Sequence, residues 1–373
     1  MKTRTQRTAA PAICAAIGAL ALTFSATAQD PKPTIITFNA PGDVYNTTQP
    51  QAITPSGATT GFYFDVNFVA HGFVRAPDGT FTTFEAPGAG STPLSYEGTF
   101  PTSINPEGAI AGIYTDTNYL AHGFLRVANG DITTFDAPDA SGGTEAEDIN
   151  ETGEIAGWFW DPNNNVHGFV RFSGGAFSTF EAPGAGSGGS GEGTGTASAD
   201  GLNPSGWITG YLVDASGGVY SYVRSPGGAF SVFGAPGAAP GGYNGTIPSG
   251  INPAGMVTGS YVDASGLNHG FVRNPRGAII EFDVEGAGAA AGQGTLAESI
   301  NPVGQIVGQY IDANGVYHGF LRAPDGAVTS FDVPGAGTGA GEGTLPVINN
   351  PAGAITGWYY DASFGQHGFL LTP

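Results

Sequence analysis

The chain has 373 residues, 63 of them Gly and 27 Pro, with 40% hydrophobic and 11% aromatic residues. So many poor helix formers exclude a helical bundle, and so much apolar content excludes a disordered tail. A formal charge of −20 disfavours nucleic acid as a partner, because phosphate binding needs basic patches.

Residues 1–28 carry Lys2, Arg4 and Arg7, then an Ala-rich apolar stretch, then Ala26-Thr27-Ala28. A basic head, a short apolar middle and small residues at a cut predict a signal peptide and export to the periplasm or medium. The apolar stretch is shorter than the roughly 20 residues a membrane span needs. Cleavage after Ala28 removes the only cysteine, Cys14, and leaves 31 acids against 8 bases. No disulfide then braces residues 29–373, which are expected to fold as one domain and remain monomeric.

Those residues repeat. His-Gly-Phe begins at His71, His122, His167, His269, His318 and His367, and Tyr220-Ser221-Tyr222 fills the same place in a fourth copy. Each copy of about 49 residues reads as four strands, labelled a to d. Strand a ends at segments such as Ile300-Asn301-Pro302, and strand b is the Ile-x-Gly-x-Tyr run. Strand b ends at an Asp found in every copy: Asp65, Asp116, Asp161, Asp214, Asp263, Asp312 and Asp361. Strand c holds His-Gly-Phe, and strand d the Phe-Asp/Glu-x-Pro-Gly run.

A two-residue turn at Asn314-Gly315 sets Tyr310 opposite Gly319 and Ile311 opposite His318, so that the tyrosine covers bare backbone. Six c strands also carry Arg, five of them followed ten residues later by an acid, as with Arg322 and Asp332. Arg and acid are expected to belong to one sheet. In the last copy Leu371 and Asn39 replace both, while in the fourth copy Arg224 persists although Gly234 replaces the acid.

Phase decides the architecture. The segment Ile35–Gly42 is a strand d that precedes any a, b or c, and the chain ends on a strand c at His367–Leu370. An open stack would leave both with unpaired edges. The expectation is an all-β, seven-bladed β-propeller of four-stranded antiparallel blades, with the N-terminal strand completing the last blade. An open solenoid is the alternative.

The Ile-Asn-Pro-x-Gly-x-Ile-x-Gly, His-Gly-Phe and Gly-x-x-x-x-Phe elements resemble the bacterial probable-extracellular HAF repeat, with Gly where that family has Ala. The resemblance spans nearly all of residues 34–373 and implies secretion and propeller-like repeats. It implies no activity.

The six histidines share one slot on different blades, separated by roughly 10 Å or more, too far for one metal ion. They are expected to pack beside Phe and bond to backbone. The single Asp of each b–c turn is expected to bond its own backbone two residues on rather than calcium. No metal or cofactor is called for, and no nucleophile motif appears, so no catalytic residue is assigned. The variable connectors and the Asp turns share one acidic, loop-rich face. Aromatics there, Phe64, Trp160 and Tyr360, and the divergent Tyr220 and Tyr222, are the candidate binding residues. The leading function is a non-catalytic secreted binding or scaffold protein for glycan or protein. One alternative is a carbohydrate-active hydrolase or lyase, which requires acids of displaced pKa at the channel mouth. The other is a structural or adhesion protein.

Overall fold

The computed structural model describes residues 33–373 apart from 190, 199 and 240–244. The export segment 1–28 and Cys14 lie outside the described residues. Every described element of regular structure is a strand, and the 28 strands fall into four-stranded antiparallel sets.

The N-terminal strand is β1 (Thr34–Phe38). The first set is β2 (Gln49–Ile53), β3 (Thr59–Phe64), β4 (Ala70–Arg75) and β5 (Phe81–Phe84). The second is β6 (Gly98–Ile104), β7 (Ile110–Thr115), β8 (Ala121–Arg126) and β9 (Ile132–Phe135). The third is β10 (Thr144–Ile149), β11 (Ile155–Trp160), β12 (Val166–Arg171) and β13 (Phe177–Phe180). The fourth is β14 (Gly193–Thr196), β15 (Ile208–Val213), β16 (Val219–Arg224) and β17 (Phe230–Phe233). The fifth is β18 (Thr246–Ile251), β19 (Val257–Val262), β20 (Asn268–Arg273) and β21 (Ile279–Phe282). The sixth is β22 (Gly294–Ile300), β23 (Ile306–Ile311), β24 (Tyr317–Arg322) and β25 (Val328–Phe331). The last is β26 (Gly343–Asn349), β27 (Ile355–Tyr360) and β28 (Gln366–Thr372), and β1 joins β28 as its fourth strand, pairing Thr34 with Thr372 and Phe38 with Gly368.

Successive sets meet in a repeated way. The start of the third strand touches the start of the next set in parallel in four sets, as in Ala70 with Gly98 and Tyr317 with Gly343. Gln366 and Thr47 form the same contact between the last set and the first. Asparagines of the a–b turns reach the next set too: Asn252 Nδ2 donates to the Asn301 carbonyl, Asn301 to Asn350, and Asn350 to Thr54 (3.2, 3.2 and 3.0 Å). Each strand-c arginine lies over a phenylalanine of the preceding set, from Arg126 over Phe84 to Arg322 over Phe282, both at 4.8 Å. Arg75 lies likewise over Phe38 of β1, also at 4.8 Å. A guanidinium on an aromatic face, its stem buried between sheets, holds neighbours by packing and by cation–π attraction.

The register of the b–c hairpin differs from the expectation. Asp312 N donates to the Val316 carbonyl and Gly315 N to Asp312, with Gly315 at φ +82°. That is a three-residue loop ending in a left-handed glycine, one residue longer than an Asn-Gly turn. Tyr310 therefore pairs with His318, Gln309 with Gly319 and Ile311 with Tyr317. The cover over Gly319 comes from Phe331 of β25, whose Cζ would lie 2.8 Å from a Cβ at that position. Gly368 is covered in the same manner by Phe38.

The strand-b glycine of every copy has a different cause. A Cβ at Gly308 would run into the Leu296 carbonyl oxygen, and one at Gly61 into that of Gln49. Strand a is bulged at this level, with register shifts at Pro50/Ala52, Pro101/Ser103, Ala146/Asp148, Pro248/Gly250, Ala297/Ser299 and Pro346/Ile348. The bulge pushes backbone toward strand b and leaves one residue unpaired on strand a.

Candidate functional site

The unpaired bulge residues converge. Gln51, Thr102, Glu147, Ser249, Glu298 and Val347 all line one cavity of about 470 Å³, and Ser198 of the fourth set joins them. Phe62, Phe100, Ile113 and Tyr211 supply much of the apolar wall. Bulges re-aim side chains, and here they deliver one from each set into a shared space.

Two of these side chains are carboxylates with fixed partners. Glu147 Oε1 accepts from Trp158 Nε1 (2.8 Å), and Glu298 Oε1 accepts from Gln309 Nε2 (2.8 Å). Burial raises both carboxyls, against the smaller opposing effect of those bonds. Glu145, one residue pair away along β10, is pushed up to about 7 by burial and by the charge of Glu147. Tyr211 rises for the same two reasons. The side chains of Thr196 and Gln309 each carry a buried oxygen without a protein partner, and so does the Trp358 indole N–H. Trp358 faces Leu345 as Trp158 faces Glu145, but the bulge residue beside it is Val347 rather than a carboxylate.

A second group of acids lies toward the a–b turns. Ser103 Oγ and Leu202 N donate to Asp148 (2.6 and 2.8 Å), and Ser299 Oγ donates to Asp200. Asp200 stands in the fourth set, where Thr196 pairs with Gly210 and the next pair is Leu202 with Ile208. Three more residues intervene there than between Pro101 and Ile104 of the second set. The enlarged bulge carries Asp200 across to Gly250 and to Ser299 of the sixth set. Burial pushes Asp148 to about 7, and burial with the Asp148 charge pushes Asp200 to about 8.

The candidate residues of the loop-rich face divide. Phe64 packs edge-on against Phe62 and Phe100 (5.8 and 6.2 Å) and so sits one aromatic ring out from the cavity, whereas Trp160 packs edge-on against Trp158 (4.4 Å), whose indole bonds Glu147. Tyr360 accepts a bond from Gln366 Nε2 (2.7 Å). Tyr220 is 40% exposed and lines a separate small cavity with Gly218 and Gly234. Tyr222 is fully buried with its hydroxyl on the Gly195 carbonyl (3.1 Å), leaving it no surface for a ligand.

The histidines bond to side chains, not to backbone. His71 lies between Glu85 at Nδ1 and Asp65 at Nε2, the latter at 3.4 Å, and stacks on Tyr63 with centroids 5.2 Å apart. The same sandwich recurs at His122, His167, His269 and His318. Thus the arginine and the strand-d acid do share one sheet, as the spacing predicts, and within it the acid serves the histidine. The fourth set changes these positions together: Tyr220 replaces the histidine, Gly234 the acid, and Leu212 the stacked aromatic. The turn aspartates behave as expected, with Asp312 Oδ1 accepting from Asn314 N and Val316 N (2.8 and 2.9 Å).

Sequence reading passed over Glu147, Glu298, Trp158 and Tyr211. The only trace was the acidic run Glu145-Ala146-Glu147-Asp148, and a period-two pattern gives no sign of a bulge that turns Glu147 inward. Among the described residues no helix is long and apolar enough to cross a membrane.

No family model matches the chain, and no curated protein matches it. Solved structures do. Virginiamycin B lyase from Staphylococcus aureus matches at 13% identity and a TM-score of 0.56, over 92% of this chain and 99% of that one. A streptogramin B lyase matches at 15% identity and 0.56, over 91% and 98%. The BP39L lectin from Burkholderia pseudomallei matches at 10% identity and 0.54, over 88% and 98%. Likeness at such identity speaks to architecture alone, and the chain has the all-β fold of a β-propeller.

Proposed function

We propose that this chain is an exported, seven-bladed propeller of the HAF-repeat type, closed by β1, that binds a carbohydrate in the cavity ringed by the strand-a bulge residues. The observation that carries the binding site is that ring: one residue from each set enters a space of about 470 Å³ walled by aromatic rings. Sugars are bound by such a mixture, with rings stacking on apolar C–H faces and carboxylates or amides taking hydroxyls. The partnerless hydroxyl of Thr196, which lines the cavity, adds a polar group that a hydroxylated ligand satisfies. The pairing of β1 with β28 and of Gln366 with Thr47 supports closure. The basic, apolar and small-residue order of residues 1–28 supports export. The test is a glycan-array screen of residues 29–373 beside a Gln51→Trp variant, whose indole fills the cavity. Ligands held by the parent and lost by the variant confirm the site; glycans bound equally by both remove it.

A hydrolase or lyase is the second reading, favoured by Glu145, Glu147 and Glu298, whose carboxyls burial raises, that of Glu145 to about 7. Such a carboxyl can donate a proton to a leaving oxygen. Turnover of a bound polysaccharide that disappears in Glu298→Gln, with binding retained, selects this reading over simple binding.

A further inference from the structure

A second cavity, of about 490 Å³, lies between the fourth and fifth sets on the side of the a–b and c–d turns. Its lining contains two arginines and no acid, in a chain with a formal charge of −20. The repeats serve as internal controls for how it arose. At the third position of the c–d turn the first and sixth sets carry Asp78 and Asp325, each facing the strand-c arginine of its own set. The fifth set has Arg276 there, beside Arg273, so a charge pair has become two positive charges. Among the described residues Arg276 is the one basic residue outside the strand-c arginine slot.

The a–b turn of the fourth set has changed at a matching place. The residue after its glycine is Ala58, Ala109 or Ala354 in three sets and Trp207 here. Trp207 is 41% exposed, and its backbone N–H is fixed on Asn203 Oδ1 (3.0 Å). Opposite it, Arg273 is buried to 6% exposure over the Phe233 ring at 4.6 Å, and its Nη2 donates to Ser231 Oγ (2.9 Å). One cation is thus held by the core while Arg276 stands exposed on the turn, where a guanidinium fork can close on an oxyanion.

We propose that this groove binds an acidic sugar, its pyranose face on Trp207 and its carboxylate at Arg276 with Arg273 behind. An exposed indole fixed in a turn is a platform for a ring. A pair of guanidinium groups without a neighbouring acid selects an anion, and their field is strengthened because nothing local neutralises it. A neutral sugar leaves both charges unanswered. A ringless polyanion leaves the indole uncovered.

The experiment is titration calorimetry of residues 29–373 with oligogalacturonate at low ionic strength. The variants are Arg276→Asp and Trp207→Ala, each installing the residue that sister sets carry and therefore compatible with the fold. Each is expected to weaken binding tenfold or more, while Gln51→Trp, which fills the other cavity, leaves it unchanged. Neutral maltooligosaccharide is expected not to bind in the groove. Absence of oligogalacturonate binding by the parent, equal binding by Arg276→Asp, or equally tight binding of polyglutamate overturns the proposal. Loss of oligogalacturonate binding in Gln51→Trp alone also overturns it and transfers the ligand to the other cavity.

Discussion

His367 Nδ1 lies 2.9 Å from Asn39 Oδ1, although 328 residues of chain separate them. Asn39 holds the place that Glu85, Asp136, Glu181, Asp283 and Asp332 hold for the other histidines, so the residue following β1 completes the last set chemically as well as sterically.

Joining the chain ends should therefore be stabilising. Thr34 and Thr372 are paired and exposed, and cysteines at both positions are expected to form an intramolecular disulfide in residues 29–373, which lack native cysteine. A bridge enclosing nearly the whole chain is expected to contribute about 2–4 kcal/mol. Thermal unfolding with and without reductant measures it. Conversely, Phe38→Ala removes the cover of Gly368 and the platform of Arg75, and should cost about 2–4 kcal/mol.

The fourth set predicts a coupled trio. His318→Tyr alone is expected to destabilise, since the larger ring meets Tyr310 and Asp332. Adding Tyr310→Leu and Asp332→Gly reproduces Leu212, Tyr220 and Gly234, and should recover more than the sum of the single effects by on the order of 1 kcal/mol. Denaturant titration of the single, double and triple variants decides it, and strict additivity would refute the coupling.

Arg322→Leu is expected to cost under about 1 kcal/mol. Leu371 already occupies the equivalent slot, packing with Phe331. The arginine Nε atoms at residues 75, 126, 171, 224 and 273 are buried without a bonding partner, so the charge brings a desolvation cost that offsets its cation–π attraction. Melting temperatures of the variant and parent within a few degrees of each other are the expected result.

Stability should peak in mild acid. His71 is raised by its bond to Glu85, and His167 is raised by Glu181 and Asp161 despite burial. Both therefore contribute fully below about pH 6.5 and lose that contribution as pH rises through their folded values. Asp148 and Asp200, raised by burial to about 7 and 8, are penalised increasingly as pH climbs from about 4 toward those values. Asp214 is held low by its Ser216 bond, Asp263 by Ser265 and Asp361 by His367, so they withdraw their support as pH falls below about 4. The maximum should lie between about pH 4 and 6.5. Asp200→Asn keeps an acceptor for Ser299 and should flatten the alkaline decline; an unchanged slope above pH 7 would count against the buried-acid account.

Much of the architecture was legible because it is local or repetitive. The His-Gly-Phe period marks the third strands, the turn aspartates announce the hairpins that they close, and the orphan strand ahead of Gly42 together with the truncated end at Leu370 points to their union. The rest needed three dimensions for definite reasons. A loop longer by one residue moves Tyr310 from Gly319 to His318, and turn dipeptides do not state their own length. Spacing places Arg322 and Asp332 in one sheet, but that the acid meets His318 while the arginine lies over Phe282 of the neighbouring set is a matter of side-chain contact that spacing does not state. Glu147 and Glu298 became neighbours of one cavity only through bulges, which a strand's alternating pattern conceals, and through the gathering of strands from sets more than a hundred residues apart. Local backbone preference writes the blades into the sequence; which side chains share a space depends on how those blades are packed around one another.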